Sequence, residues 1–143
     1  MNQNIWGPHY WFFLHTVSLN YPVKPTQKDK ENYKTFFHSL QYVLPCSVCK
    51  KHLKRNLREY PIRLDSRKDL VEWLIDIHNE VNALTGKERM SYNRVIDLYE
   101  KRLKMKIDLK KEFKKDFNSV SKIIILLIII ILLFLFWYNF YYN

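Results

Sequence analysis

Apolar residues along this chain recur at helical spacing, with no period-two run of any length. Residues 6 to 19 carry apolar side chains all round the helix, broken by His15, which predicts a well-buried first helix with Pro8 in an early turn where a helix tolerates it. The loop Tyr21-Pro22-Val23-Lys24-Pro25-Thr26 follows. Thr26 is placed to cap a second helix over about residues 27 to 43, with Tyr33, Phe36, Phe37, Leu40 and Val43 on one face. Pro45 stops that helix. A third starts near Cys46 or Ser47, carries Val48, Leu53 and Leu57, and ends at Tyr60-Pro61. Ser66 can cap a fourth over about residues 67 to 84, with Leu70, Trp73, Leu74, Ile77, Val81 and Leu84 inward and Gly86 as its stop. A fifth begins near Tyr92 and runs through Val95, Ile96, Leu98, Tyr99 and Leu103. Short connections between these helices predict a small all-α bundle.

The last apolar stretch has a different character. Of the twenty residues 123 to 142, only Asn139 is strongly polar, and a helix of that length matches a bilayer's hydrocarbon core of about 30 Å. It closes on Trp137, Tyr138, Phe140, Tyr141 and Tyr142, rings of the kind that settle among headgroups. A single C-terminal transmembrane helix over 123–142 is therefore expected. A buried helix of a soluble core is the alternative, but about 100 remaining residues make a small globule to surround it.

Charge supports the membrane reading. Residues 1 to 100 hold 15 basic and 11 acidic side chains, whereas residues 101 to 122 hold nine basic and three acidic. Most of the positive excess thus sits immediately before the apolar run, as expected of a basic juxtamembrane segment over 102–122 drawn to anionic headgroups. A solvated helix face or a nucleic-acid patch would also carry such charge, and nucleic acid is the least favoured of the three. Positive charge before the span leads to the expectation of a single-pass, tail-anchored protein with its N-terminal domain on the cytoplasmic side. The short length excludes a TIM barrel or a two-domain enzyme. Two Gly in 143 residues speak against phosphate-binding glycine loops, and two Cys exclude a fold stapled by several disulfides.

Those two cysteines stand as Pro45-Cys46-Ser47-Val48-Cys49, at the start of a helix. Unpaired backbone N–H groups and the helix dipole favour a thiolate there, and Lys50, Lys51 and His52 add positive charge. A redox pair, a metal site and inert thiols are all compatible with the spacing. A thioredoxin-like context needs a strand before the motif, where only helices are read. Zinc would need Cys46, Cys49 and His52 together with His38 or His78. A second group of polar residues lies in His78-Asn79-Glu80-Val81-Asn82, followed by Gly86-Lys87; His78 and Asn82 share a helix face, and Trp11 and His15 do the same in the first helix. Buried structural His and Asn would explain any one of these. Together they would suit a planar ring system carrying a phosphate.

In order and spacing, Trp6-Gly7, Trp11, His15, Tyr21-Pro22, Pro45-Cys46-Ser47-Val48-Cys49, His78-Asn79-Glu80-Val81-Asn82 and Gly86-Lys87 resemble the Erv/ALR family of FAD-linked sulfhydryl oxidases, over about residues 5 to 101. The resemblance implies a four-helix bundle plus a short fifth helix, with an FAD-binding oxidase domain over 1–101, usually a homodimer. It implies a thiol:oxygen oxidoreductase that turns protein dithiols into disulfides and passes the electrons to O2, giving H2O2. Cys46 would exchange with substrate thiols and Cys49 would face the flavin. Trp6, Gly7, Trp11, His15, His78, Asn79, Val81, Asn82 and Lys87 match cofactor-binding positions, and Tyr99 falls where many members have a Trp near the adenine. The implied partners are dithiol proteins or a thioredoxin- or glutaredoxin-like carrier, with no resident metal and no nucleic acid. Relatives often carry a second, structural disulfide where this sequence has Ile75 and Asn93, and further Cys pairs where it has none. A short chain poor in accessory cysteines looks like the oxidases of large DNA viruses, which form disulfides in virion proteins, with a virion membrane as one setting. The rival reading is a membrane-anchored zinc adaptor without catalysis.

Overall fold

Local chemistry sets most of the helix boundaries. The computed structural model describes residues 2–104, 106 and 109–142, and among these every regular element is a helix. Helix α1 spans Gln3–Leu19, α2 Gln27–Val43, α3 Ser47–Glu59, α4 Arg67–Leu84, α5 Tyr92–Leu103 and α6 Leu109–Tyr142. Thr26 starts α2 through a capping box with Asp29, and the Ser66 and Ser91 side chains accept the backbone N–H groups of Asp69 and Arg94 at the heads of α4 and α5. Gly86, at φ 70°, makes the turn after α4 in a conformation that costs glycine little.

One start differs from expectation. Asn2 caps α1, its side chain accepting the Asn4 N–H at 3.0 Å, so the helix begins at Gln3, ahead of the apolar run. Pro8 then falls in the second turn, not the first. The Asn4 carbonyl it deprives of a donor belongs to an exposed residue, where water can serve.

The chain divides into two units, Met1–Ile107 and Asp108–Asn143. In the first, α1 packs on α4, α2 on α3, and α5 on α4. The core gathers Leu14, Tyr21, Phe37, Leu40, Leu57, Leu70, Trp73, Leu74 and Ile77. Each such side chain removed from water contributes about 1.5–3 kcal/mol. Phe37 meets Trp73 edge to face at 5.2 Å. Polar tips in this core are satisfied at loops: Trp73 Nε1 donates to the Tyr60 carbonyl at 2.9 Å, Tyr21 Oη donates to the Leu64 carbonyl at 2.9 Å, and Arg67 Nε donates to the Tyr21 carbonyl. The loop after α1 and the loop before α4 are thereby fixed to the core that α1 and α4 share. Val43 and Leu84, expected on inward faces, lie outside it, each the last residue of its helix, where helical periodicity outruns the packed layer; Val48 and Leu98 are exposed as well.

The second unit is the helix α6, which joins part of the basic segment and the apolar run in one element. The expected transmembrane span is not shown by it: among the described residues no helix is long and apolar enough to cross a membrane. Within α6 the side chains of residues 123–135 are apolar and exposed.

Candidate active site

Cys46 and Cys49 are joined in a disulfide with Cα atoms 5.2 Å apart. Cys46 is the N-cap of α3, and its Sγ accepts the Cys49 backbone N–H at 3.1 Å. A second donor comes from α1, where Gln3 Nε2 approaches Cys46 Sγ at 2.8 Å. Sulfur at this position faces two N–H donors and the positive end of a helix, which favour the thiolate over the thiol. Both cysteines are half-buried, as befits atoms that must meet a partner. The zinc alternative gains no support here. The two sulfurs are bonded to each other, and among the described residues no three His, Cys, Asp or Glu side chains gather as metal ligands.

A continuous row of rings runs along α1 and onto α4 and α5. Trp6 meets Tyr10 edge to face at 5.7 Å, Tyr10 meets Trp11 at 6.4 Å, and Trp11 stacks on His78 at 3.9 Å with 7° between planes. His15 Nε2 and His78 Nδ1 are 3.0 Å apart and share one hydrogen bond. Such a bond needs one ring to donate and the other to accept, so at least one imidazole is neutral. Burial, reinforced by the neighbouring His78, pushes His15 down to about 3; burial, with Lys87 nearby, pushes His78 down to about 4. Both rings are therefore neutral at physiological pH. Tyr99 lies 4.9 Å from His15 and its hydroxyl donates to the Trp11 carbonyl at 3.3 Å, while burial raises its pKa to about 12.

Four of the expected site residues, Trp11, His15, His78 and Tyr99, are thus brought into one cluster from three helices. Trp6 joins the row through Tyr10, whose place beside the cluster its own sequence neighbours do not mark. Lys87 is exposed, held near His78 because its backbone N–H donates to the Asn82 carbonyl at 2.8 Å. Asn82 is buried and Val81 half-buried. Asn79 also braces the segment between α4 and α5, because its amide donates to the Met90 carbonyl at 3.0 Å and accepts the Met90 N–H at 2.9 Å. Gln3 likewise escapes sequence reasoning, and nothing local marks it, since its partner is 43 residues away.

The aromatic face has the chemistry of a site for a planar, polar ligand. Trp6 Nε1 and Tyr10 Oη are buried with no partner among the described residues, a state that costs about 1–3 kcal/mol per group unless a ligand or water satisfies it. A Cβ built on Gly7 would meet nothing within 4 Å, so protein packing does not fill the space beside this turn. Stacking rings, unpaired donors and an exposed lysine fit an FAD better than they fit a closed core.

Comparison with known proteins agrees with this geometry. The Erv1 / Alr family profile matches residues 8–104. A probable FAD-linked sulfhydryl oxidase of Acanthamoeba polyphaga mimivirus is 46% identical over 109 residues, 74% of this chain and 76% of that protein. The mitochondrial FAD-linked sulfhydryl oxidase of Saccharomyces cerevisiae is 33% identical over 98 residues, and there the match spans 68% of this chain but only 50% of the relative. The crystal structure of the FAD binding domain of Erv1 from Saccharomyces cerevisiae superposes with a TM-score of 0.65 at 31% identity, covering 71% of this chain and 93% of that one. The chain belongs to the Erv1 / Alr family.

Proposed function

We propose that this chain is an FAD-linked sulfhydryl oxidase in which Cys46–Cys49 accepts two electrons from a dithiol partner. The observation that carries it is a disulfide at the head of α3, tied through Gln3 to the helix that bears Trp6, Tyr10, Trp11 and His15. A partner thiolate attacks Cys46 Sγ, the Cys46–Cys49 bond breaks, and Cys49 leaves as a thiolate. A second partner thiol then attacks the partner's own sulfur and Cys46 leaves, so that the partner holds a disulfide and this chain a dithiol. The Gln3 amide and the Cys49 N–H both stabilise the departing Cys46 thiolate. Trp11, His15, His78, Lys87 and Tyr99 would hold FAD, with Trp6, Gly7, Val81 and Asn82 beside them. Bound FAD supplies a two-electron acceptor whose final oxidant is O2, with H2O2 as product. The neutral His15–His78 pair keeps positive charge out of the stacking face and fixes Trp11 in place.

Purified protein should be yellow and should release peroxide on addition of a dithiol. Colourless protein that takes up no FAD on reconstitution would overturn the reading. Kinship with the mimivirus protein, and at 29% identity with the FAD-linked sulfhydryl oxidase of African swine fever virus, supports a role in forming disulfides of viral proteins. The homodimer and the cytoplasmic-side membrane attachment through residues 123–142 belong to this proposal as well. Support for the attachment is the apolar sequence of that run within the continuous helix α6 and the basic residues before it. Flotation with anionic liposomes, set against a chain ending near residue 105, tests the attachment; sedimentation of the full chain in detergent tests the dimer.

A further inference from the structure

The flank of α3 that faces away from Cys49 is strongly basic. Helix α3 carries Lys50, Lys51, Lys54, Arg55 and Arg58 against a single acid, Glu59. An open groove of about 540 Å³ runs between it and α2, lined by His38 and Gln41 from α2 and by Lys51, Lys54, Arg55 and Arg58 from α3. At about 100° per residue, these four cations centre roughly half a turn round the helix from Cys49, so the groove is separate from the ring cluster. Elsewhere in the domain five cations sit against acids: Lys30 with Asp65, Arg63 with Asp76, Lys68 with Glu72, Arg89 with Glu80, and Arg94 with Glu88. In the groove only Arg55 has a partner, Glu59 at 3.8 Å, and Lys51, Lys54 and Arg58 have none among the described residues. No acid lines the α2 side either. Three like charges on one strip repel one another, and an anionic partner relieves that repulsion.

We infer that this groove docks an acidic segment of the protein whose thiol exchanges at Cys46. The inference rests on the oxidase reading and adds a substrate class to it. Position supports it. Cys46 caps the helix that lines the groove, and exposed Tyr42, Val43 and Val48 flank the cysteine as an apolar rim on which a substrate backbone can lie. From Cys46 to Arg58 the helix rises by about 18 Å, which an extended chain covers in about five or six residues. Acidic side chains within that distance of the substrate's thiol reach the cations without crowding the exchanging sulfurs.

The test uses the full-length holoenzyme and two synthetic dithiol peptides of equal length. One carries three Glu and the other three Lys at about four to six residues from the thiols, and kcat/KM is read from peroxide release at low salt. The acidic peptide should be favoured roughly tenfold, within the range that electrostatic steering supplies, and added salt should erase the advantage. The K54E/R58E variant should reverse the preference and K54Q/R58Q should abolish it, while both oxidise dithiothreitol, a small uncharged dithiol, at the wild-type rate. Equal kcat/KM for the two peptides, or an acidic preference that survives K54Q/R58Q, would overturn the groove while leaving the oxidase intact. Failure of the wild type to oxidise dithiothreitol would instead sink the oxidase reading and the inference with it.

Discussion

Mild acid should destabilise this domain through the His15–His78 pair. Both rings ordinarily titrate near 6.5, and in the folded chain burial holds them at about 3 and about 4. Between those values the unfolded chain binds protons that the folded chain refuses, so stability rises with pH across the window. It is complete above about pH 6.5 and is lost as pH falls toward the folded values. At about pH 5, one and a half units below the free value, each ring has cost about 2 kcal/mol and the pair about 4, a large share of the 5–15 kcal/mol that holds a small domain together. His38, pushed down by burial and by Lys34, adds to the same slope. Carboxylates such as Asp29, held below its ordinary value by hydrogen bonds from Thr26, titrate lower and leave the window clear. The assay is urea unfolding of the purified chain at several pH values from about 7.5 to 5. His78→Phe, which keeps a ring on Trp11 but removes one titrating group, should cut the loss by about half, whatever it does to stability at neutral pH. A stability flat from pH 6.5 to 5, or a slope unchanged in His78→Phe, would refute the account.

Three further outcomes are expected. Cys49→Ser should keep the flavin colour yet lose thiol oxidation; wild-type peroxide output from that variant would remove Cys49 from the reaction. Gln3→Ala removes one of two donors to Cys46 Sγ and should lower kcat/KM for a dithiol several-fold, with the pH at which alkylation of Cys46 is half-maximal moving upward; an unmoved alkylation profile would show that the contact does not tune the thiolate. Asn56 is buried and neither amide atom has a partner among the described residues, so Asn56→Leu should stabilise the domain by about 1 kcal/mol, about 4–8 °C in Tm; a lower melting temperature would mean that bound water already serves the amide.

Features that depend on neighbouring residues were legible in the sequence. Thr26, Ser66, Pro45, Pro61 and Gly86 mark starts and stops by their own chemistry, which is why α2 and α4 begin and end where periodicity and caps placed them. The start of α1 was not legible, because Asn2, Gln3 and Asn4 are polar and only the cap geometry draws them into the helix. Spacing along one helix placed His78 beside Asn82, but no local signal joins His78 to His15, 63 residues earlier, or turns the Asn79 amide toward the Met90 backbone. Ile75 shows the opposite case. Where relatives were expected to carry a crosslinking cysteine, this side chain is buried at 1% exposure, so apolar packing occupies the place of a covalent staple.

Cys46 serves α3 twice, as the atom that reacts and as the residue that closes the helix. An oxygen in place of that sulfur would still cap the coil, so of two variants that both lose the crosslink and exchange, Cys46→Ser should keep about 1 kcal/mol of stability that Cys46→Ala forfeits. Turnover accordingly proceeds on a fixed abutment: electrons arrive and depart at a point whose architecture need not be rebuilt between half-reactions.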